Sequence, residues 1–354
     1  MPKPHLIKNP VKERLKEISA AQERAHQFAF ILYLTASMGY TDEARLGAAT
    51  CKQLRKDEQL WVPILRQQIG SKRRTVPMFA VKTRAIQRFK WLCDRIHKPL
   101  HLNALDSEGH GIVWHAIRHN FLPYAMESLT DLAVDQPDAL GQTPLFYAVA
   151  NNREVWIRWL LEHGANLHHK CKENMSPMIV ASRYATVQTL RQLVEAGCDP
   201  TEPAVIYRAT RYGRREFIEE LLARGASIDT VVNGHSLLHC AVLYNQRDLC
   251  TLLLNEIHPD IRTEEQITPL MLVTDDDICR DLYMGGADIN AADVNGWAPL
   301  HYAVHHRRLE IARTLLDLGA GATLLTDDGA SPLDMAELTG QQSLIALFEN
   351  IDHE

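Results

Sequence analysis

The sequence has little that would place the protein in a membrane, outside the cell or among familiar enzyme classes. Its longest apolar run, residues 28–38, is too short to cross a bilayer, and the charged first residues carry no apolar signal core. The seven cysteines are scattered without a C-x-x-C pair, which favours a reducing compartment over a disulfide framework. No P-loop, G-x-G-x-x-G, H-E-x-x-H or G-x-S-x-G motif occurs. We therefore expect a cytoplasmic protein that is not an enzyme.

The composition is that of a folded chain, but its charge is unevenly distributed. Of the 354 residues, 46% are apolar and 23% are charged, which is ordinary for a globular protein. Residues 1–102 hold 20 Lys/Arg and 8 Asp/Glu, whereas residues 103–354 hold 18 and 36. The two parts therefore carry +12 and −18, which together give the net charge of −6. This asymmetry predicts two domains with different partners.

A repeated segment occupies the chain from about residue 103 onward. The theme GQTPLFYAVA at 141 returns as GHSLLHCAVL at 234 and as GWAPLHYAVH at 296. The small residue near its end recurs every 28 to 33 residues, at Ala116, Ala148, Ala181, Ala209, Ala241, Val273, Ala303 and Ala336. Sixteen residues after that small residue, four copies carry a glycine, namely Gly164, Gly197, Gly225 and Gly319. Two landmarks at a fixed offset indicate a repeat protein.

The physical chemistry of one copy predicts two short helices. Thr143 suits a helix cap, Pro144 suits the first helical position, and Ala148 allows close approach of a neighbouring helix. The segment VWIRWLLEHGAN then has apolar residues at helical spacing and ends at Gly164, which suits a left-handed helix end. Such a unit is too small to bury its apolar face alone, so we expect the copies to stack.

The repeat resembles the ankyrin-repeat family, whose signature is T-P-L-H-x-A with a period of about 33 residues. The resemblance implies an all-α solenoid of about eight helix–turn–helix repeats with short hairpins, preceded by a small helical domain at 1–102. We number the copies 1 to 8, with approximate bounds 104–136, 137–169, 170–200, 201–230, 231–262, 263–291, 292–325 and 326–354.

Three copies depart from the pattern. Copy 4 has lost about five residues before Ala209, so we predict a shortened or missing hairpin. In copy 6, Gly286 follows Val273 by only 13 residues, so we predict that the second helix loses about one turn. Copy 1 lacks the closing Gly-Ala step, as expected at a transition from another domain.

In the ankyrin family, hairpin tips and first-helix ends line a concave groove. That resemblance places Tyr184, Tyr212 and Tyr244 side by side at the first-helix ends of copies 3, 4 and 5. Tyrosine and arginine are frequent interface anchors, so we predict a binding row; the alternative is that each tyrosine only covers its neighbour. The full set of predicted groove residues is Arg118, His119, Arg183, Tyr184, Arg211, Tyr212, Tyr244, Asp275, Asp276, Trp297, His305 and His306.

The segment at about 25–70 resembles the second half of an F-box. An Ala-rich helix with a Cys-Lys-x-Leu step is followed by a polar gap and Leu-Trp, but the usual opening Leu-Pro-x-Glu is absent. The resemblance implies docking to the acidic adaptor of a cullin ubiquitin ligase through Leu46, Cys51, Leu54, Leu60 and Trp61. The alternative is a small helical cap on the repeat array.

Other patterns point to ligands only weakly. Residues 72–92 are basic and amphipathic, but without a nucleic-acid-binding signature we interpret them as a linker helix and do not expect nucleic acid. His301 and His305 are four residues apart, which can suit metal, yet His301 is the T-P-L-H histidine, whose family role is hydrogen bonding between repeats. Cys51 is expected to be buried. A possible zinc set at a predicted hairpin is His163, His168, His169 and Cys171. We predict no metal and no cofactor.

These observations predict a protein–protein interaction adaptor. The groove would bind a target protein, and the F-box-like domain would recruit a cullin-type ubiquitin ligase as a substrate receptor. Two alternatives remain open, a scaffold or inhibitor without a ligase, and a host-directed bacterial effector that works in the host cytosol.

Overall fold

A computed structural model of the protein describes residues 103–121 and 132–349. The F-box-like segment at 25–70 and the basic segment at 72–92 lie outside the described residues. The chain divides into two compact units, Met1–Pro177 and Met178–Glu354, which are treated separately below.

The described part of the first unit consists of short helices joined by turns. They are α1 (Ile112–Arg118), α2 (Pro144–Ala150) and α3 (Glu154–Glu162). Helix α2 begins at the proline that the sequence favours for a first helical position, with Thr143 before it in extended conformation. Trp156 of α3 is buried and donates its indole N–H to the carbonyl oxygen of Phe121 at 2.6 Å.

The described part of the second unit contains six helix pairs, the first of which starts at the boundary, and one short β-hairpin. Helix α4 (Pro177–Tyr184) begins at the boundary. The remaining elements are α5 (Val187–Glu195), α6 (Pro203–Arg211), α7 (Arg215–Ala223), β1 (Val231–Val232), β2 (His235–Ser236), α8 (Leu237–Leu243), α9 (Arg247–Leu253), a 3₁₀ helix (Pro269–Leu272), α10 (Asp276–Met284), α11 (Pro299–His305), α12 (Leu309–Asp317), α13 (Pro332–Thr339) and α14 (Gln342–Glu349).

These helices stack copy upon copy within the second unit. First helices contact first helices, with α6 against α8 and α11 against α13, and second helices contact second helices, with α10 against α12. The small residue of the repeat makes this possible, because Ala209, Ala241 and Ala303 are at most 2% exposed. Larger side chains such as Phe217 and Leu221 fill the space between the two layers. The all-α ankyrin solenoid expected from the sequence is confirmed.

The missing hairpin of copy 4 is confirmed by the connection between helices. Helix α5 is joined to α6 by residues 196–202, whereas α7 is joined to α8 by residues 224–236, which include the antiparallel pair β1 and β2. Without a hairpin, α6 begins directly at Pro203. The helix pair of copy 4 is nevertheless complete, since α6 and α7 have nine residues each.

The prediction for copy 6 is wrong. Its second helix, α10, keeps nine residues, and it is the first helix that is reduced to a four-residue 3₁₀ helix. In copies 4 and 5 the second helix begins six residues after the alanine, at Arg215 and Arg247, but α10 begins only three residues after Val273. The deletion therefore removes the end of the first helix, because Val273 is already extended and Asp275 caps α10.

Candidate functional site

A row of alternating tyrosine and arginine side chains runs along the first-helix ends of copies 3, 4 and 5. Tyr184 is the last residue of α4, and Tyr212 and Tyr244 directly follow α6 and α8. Arg183 and Arg211 stand one residue before two of these tyrosines. We call these five residues the arginine–tyrosine ladder.

Distances in the ladder show that each arginine lies between two tyrosines of neighbouring copies. The guanidinium carbon of Arg183 is 4.7 Å from the ring centroids of both Tyr184 and Tyr212. The guanidinium carbon of Arg211 is 5.7 Å from the Tyr212 ring and 4.5 Å from the Tyr244 ring. All four distances are within the range of cation–π interactions. The sequence pattern placed the tyrosines in one row, but it did not predict that arginines stand between them.

The ladder is accessible, and no acidic residue in the described part of the chain pairs with its arginines. Arg183, Arg211 and Tyr184 are exposed, whereas Tyr212 and Tyr244 are half-buried. Within residues 103–121 and 132–349, no carboxylate lies within 4 Å of either ladder arginine. The ladder thus offers aromatic surface together with two cations that have no acidic partner in the described part of the chain.

Arginines on the second helices have a different environment. Arg191 of α5 contacts Glu220 at 2.8 Å, and Arg215 of α7 contacts Glu219 at 2.9 Å. The hydrogen bond and charge of Arg191 help to lower the pKa of Glu220 to about 2. These arginines belong to the same copies as Arg183 and Arg211. The copy in which an arginine lies therefore does not decide whether it pairs with a carboxylate.

Two donors that the sequence analysis missed hold the ladder helices in place. Arg214 donates from one terminal nitrogen to the carbonyl oxygen of Arg183 at 2.7 Å and from the other to that of Ala185. At the same repeat position in copy 5, Gln246 donates to the carbonyl oxygens of Tyr244 at 2.8 Å and Arg211 at 3.4 Å. The signal was present in the sequence, because both residues stand five positions after the repeat alanine.

The predicted acidic groove residues are helix-start residues. Asp275 is the N-cap of α10 and accepts the Ile278 backbone N–H at 3.1 Å, and the exposed Asp276 is the first residue of that helix. Thr274 donates its hydroxyl to Asn245 at 2.7 Å, which brings this helix start close to Tyr244 at the ladder end. The groove position that the family resemblance assigns to the end of the first helix is absent from copy 6, because that helix ends early.

The other predicted groove residues lie in separate clusters. Half-buried Trp297 has its ring centroid 5.5 Å from that of Tyr302 and 5.0 Å from that of exposed His305. His306 is exposed at the surface, but desolvation of its ring by neighbouring groups lowers its pKa. In the first unit, the Arg118 guanidinium lies 5.1 Å from the Trp114 ring, and His119 is stacked on His115 at 6.4 Å.

The repeat histidines act as hydrogen-bonding residues. The Nδ1 atom of His301 accepts the Ala298 backbone N–H at 3.0 Å, and its Nε2 atom bonds the Leu324 carbonyl oxygen at 3.1 Å. His239 bonds the Ile267 carbonyl oxygen of copy 6 in the same way, at 3.0 Å. His239 therefore bonds from copy 5 to copy 6, whereas both of these partners of His301 lie within copy 7. Both ring nitrogens of His301 are occupied.

The histidines weighed as zinc ligands also have other partners. His163 bonds the Trp159 carbonyl oxygen at 2.7 Å and His169 bonds that of Gly141 at 2.8 Å. A different group, Asp106, Glu108 and His110, brings its ligand atoms within 4.8 Å of one another. Asp106 however accepts the backbone N–H groups of Glu108 and His110, each at 2.9 Å, so its carboxylate organises the turn.

Four of the cysteines in the described part of the chain are protected from deprotonation. Burial raises the pKa of Cys198 to about 11 and that of Cys240, Cys250 and Cys279 to about 12. A nucleophilic cysteine requires the thiolate, which these surroundings disfavour. Cys51, which the sequence predicts to be buried, lies outside the described residues.

Comparison with known families identifies the repeat. A family model described as "Ankyrin repeats (3 copies)" matches residues 124–204 and 270–354, and a second, "Ankyrin repeat", matches residues 233–264. The chain belongs to the ankyrin-repeat family. These matches begin at residue 124, so the F-box-like segment stays a prediction.

Curated relatives share the repeats. "Putative palmitoyltransferase ZDHHC13" of Danio rerio is 27% identical over 231 residues, which cover 62% of this chain and 31% of the relative. "E3 ubiquitin-protein ligase KEG" of Arabidopsis thaliana is 26% identical over 241 residues, which cover 61% and 15%. "Putative ankyrin repeat protein" of Rickettsia bellii is 31% identical over 125 residues, which cover 32% and 35%. The chain thus spans about a third or less of each relative's length.

Two coarse statements about function follow. Ankyrin repeats indicate a protein–protein interaction adaptor. None of the helices within the described residues is long and apolar enough to cross a membrane.

Proposed function

We propose that this protein is an adaptor that binds a target protein through the arginine–tyrosine ladder. The observation that carries the proposal is the placement of Arg183 and Arg211 between tyrosine rings of three successive copies. Tyrosine and arginine dominate the binding energy of many protein interfaces. The proposal places this binding in the cytoplasm, as expected from the composition.

The ladder suits binding because its side chains are already ordered. Each guanidinium is held by rings of neighbouring copies, and the helix ends beneath it are fixed by Arg214 and Gln246. Side chains that are ordered before binding lose less conformational entropy when a partner arrives. The adjoining Asp276 adds an acidic end to the row, so a target would meet arginines first and a carboxylate beyond them.

A triple substitution of the ladder tyrosines tests the proposal. In the full-length protein, Tyr184→Ala/Tyr212→Ala/Tyr244→Ala is expected to keep the far-ultraviolet circular dichroism of the wild type but to lose the target in pull-down. A photo-crosslinking residue at Tyr212 in the otherwise wild-type chain should label the same target. The matched control is Tyr283→Ala, because Tyr283 is 36% exposed on a second helix. Target recovery by the folded triple variant equal to that of the wild type would sink the proposal.

The second part of the proposal concerns ubiquitin transfer. The F-box-like resemblance at 25–70 and the excess of 12 positive charges in residues 1–102 favour recruitment of the acidic adaptor of a cullin ligase. The protein would then be a substrate receptor, and catalysis would belong to other subunits. The test is co-purification of the full-length chain with that adaptor, with Leu60→Ala/Trp61→Ala as the variant expected to lose it. No co-purification by the wild type would favour a scaffold or inhibitor.

A further inference from the structure

We infer that the ladder recognises an extended acidic segment of its target, with carboxylates bound by Arg183 and Arg211. This inference rests on the proposed function and specifies the chemistry of the partner. It follows from three features of the ladder, which are the surroundings of the guanidinium groups, the unneutralised charge and the spacing of the two arginines.

The guanidinium groups are prepared to bind carboxylates. A guanidinium is planar, and its N–H donors lie in that plane in a fork that matches the two oxygens of a carboxylate. Tyrosine rings lie within 6 Å on two sides of each ladder arginine. Rings cannot accept the in-plane hydrogen bonds as a carboxylate does, so the ladder orders the cations and leaves that bonding capacity for a partner.

The charge of the ladder also lacks a counterpart in the described structure. Arg191, Arg215 and Arg247 each contact a glutamate or aspartate at 2.5 to 2.9 Å, whereas neither ladder arginine has a carboxylate within 4 Å among the described residues. Residues 103–354 hold 36 acidic residues, so carboxylates are abundant in the sequence but not beside the ladder. An acidic partner segment would supply them.

The spacing of the arginines suits carboxylates two residues apart. Both guanidinium carbons lie near the centre of the same ring, at 4.7 and 5.7 Å from Tyr212, so they are at most about 10 Å apart. In an extended chain, side chains on the same side are separated by two residues, or about 7 Å. The preferred target motif is therefore acidic-x-acidic in an extended conformation.

Nucleic acid fits the same surroundings less well. Stacking of a base on the central ring would require a free face, but Tyr212 already has a guanidinium group from each of Arg183 and Arg211 beside it.

The test uses fluorescein-labelled peptides and fluorescence anisotropy with the full-length protein. The probes are a ten-residue peptide of alternating Glu and Ser, the same peptide with Gln for Glu, and a ten-nucleotide oligothymidine. The Glu peptide is expected to bind, to weaken as salt rises and to bind more tightly than the other two.

Two double variants with the same change of net charge give the decisive comparison. Arg183→Gln/Arg211→Gln is expected to weaken Glu-peptide binding by about tenfold or more. Arg191→Gln/Arg215→Gln removes exposed arginines of the same two copies and is expected to change binding by less than about twofold. Arg183→Lys/Arg211→Lys keeps the charge but loses the planar fork, and we expect an intermediate loss.

Several results would overturn the inference. They are equal losses in the two glutamine variants, equal binding of the Glu and Gln peptides, and tighter binding of oligothymidine that depends on the ladder arginines. Thermal unfolding followed by circular dichroism checks that every variant is folded. If the tyrosine triple variant loses its target but Glu-peptide binding is absent, the proposed function stands and the acidic specificity is wrong. If the triple variant keeps its target, the proposed function itself fails.

Discussion

Copies 4 and 5 are neighbours in the stack, yet the segments that lead into their first helices differ. Copy 5 has the hairpin β1–β2 and a buried histidine, His239, whose ring nitrogens contact Ser236 and Ile267. Copy 4 has no hairpin, and Tyr207 occupies the position two residues before the repeat alanine where copy 5 has His239. Both copies keep the buried alanine, a complete second helix, a donor five residues after the alanine and a ladder tyrosine.

The comparison shows which parts of a copy the stack and the ladder require. A helix pair can form without its hairpin, because the helix–helix contacts bury the apolar side chains. The ladder continues through copy 4 without interruption, whereas it stops at copy 6, where the first helix is cut short. The ladder therefore tolerates the loss of a hairpin but not the loss of a first-helix end.

The largest effect is expected from removing the histidine that copy 5 has and copy 4 lacks. His239→Ala should lower the free energy of unfolding by about 3 kcal/mol, because it leaves a cavity and removes the hydrogen bonds of the ring to Ser236 and to the Ile267 carbonyl oxygen. Tyr207→Ala in copy 4, where the side chain is half-buried, should cost about 1 to 2 kcal/mol. Urea unfolding of the full-length variants measures both. Equal losses of unfolding free energy would mean that His239 and Tyr207 stabilise their copies to the same extent, which would contradict this prediction.

The pH dependence of stability should reveal the same histidine. Burial lowers the pKa of His239 to about 4 from an ordinary value of 6.5, so the unfolded chain binds more protons than the folded chain between these pH values. The stabilisation is complete above about pH 6.5 and is lost as the pH falls towards 4, by at most about 3 kcal/mol. His239→Gln should flatten this part of the profile in urea titrations from pH 7 to 4. An unchanged slope in the variant would contradict the assignment to His239.

Removing the donor at the shared position should affect copy 4 more than copy 5. Arg214→Ala is expected to lower the free energy of unfolding by about 2 kcal/mol. The substitution removes a charged donor that bonds two carbonyl oxygens at the end of the first helix of copy 3. Gln246→Ala should cost less than about 1 kcal/mol, since its bonds are neutral and one of them is 3.4 Å long. Thermal unfolding compares the two variants. A larger loss in Gln246→Ala would reverse the assigned roles.

The smallest effect concerns the left-handed residue four positions after the alanine. Gly213 in copy 4 has φ +67° and Asn245 in copy 5 has φ +54°. Gly213→Ala should cost about 1 to 2 kcal/mol, because alanine disfavours this conformation and its Cβ would meet the Gln246 side-chain oxygen. Asn245→Gly should cost less than about 1 kcal/mol, because glycine tolerates this conformation but removes the oxygen that accepts the Thr274 hydroxyl. The cost of Gly213→Ala should shrink in a Gln246→Ala background, as a double-mutant cycle in urea would show.

The sequence predicted those features that depend on position along the repeat. The alanine steps, the missing hairpin of copy 4 and the hydrogen-bonding role of His301 all follow from counting residues, because one residue in a copy has one place in the fold. Counting failed in copy 6, because Val273 lies after the shortened first helix and not inside it. The number of residues from Val273 to Gly286 therefore does not give the length of the second helix. The start of α10 was set by its cap, Asp275, which a spacing rule does not include.

The candidate site divides along the same line. The recurrence of Tyr184, Tyr212 and Tyr244 at one repeat position fixed their row, since each follows the alanine of its copy by the same number of residues. Only the tertiary structure decided that Arg183 and Arg211 stand between these rings while Arg191 and Arg215 pair with glutamates. All four are exposed arginines in copies 3 and 4. The physical reason for their different environments is that a side chain's partners are set by the neighbouring copies against which its helix packs, and that contact is not written in the chain's own local spacing.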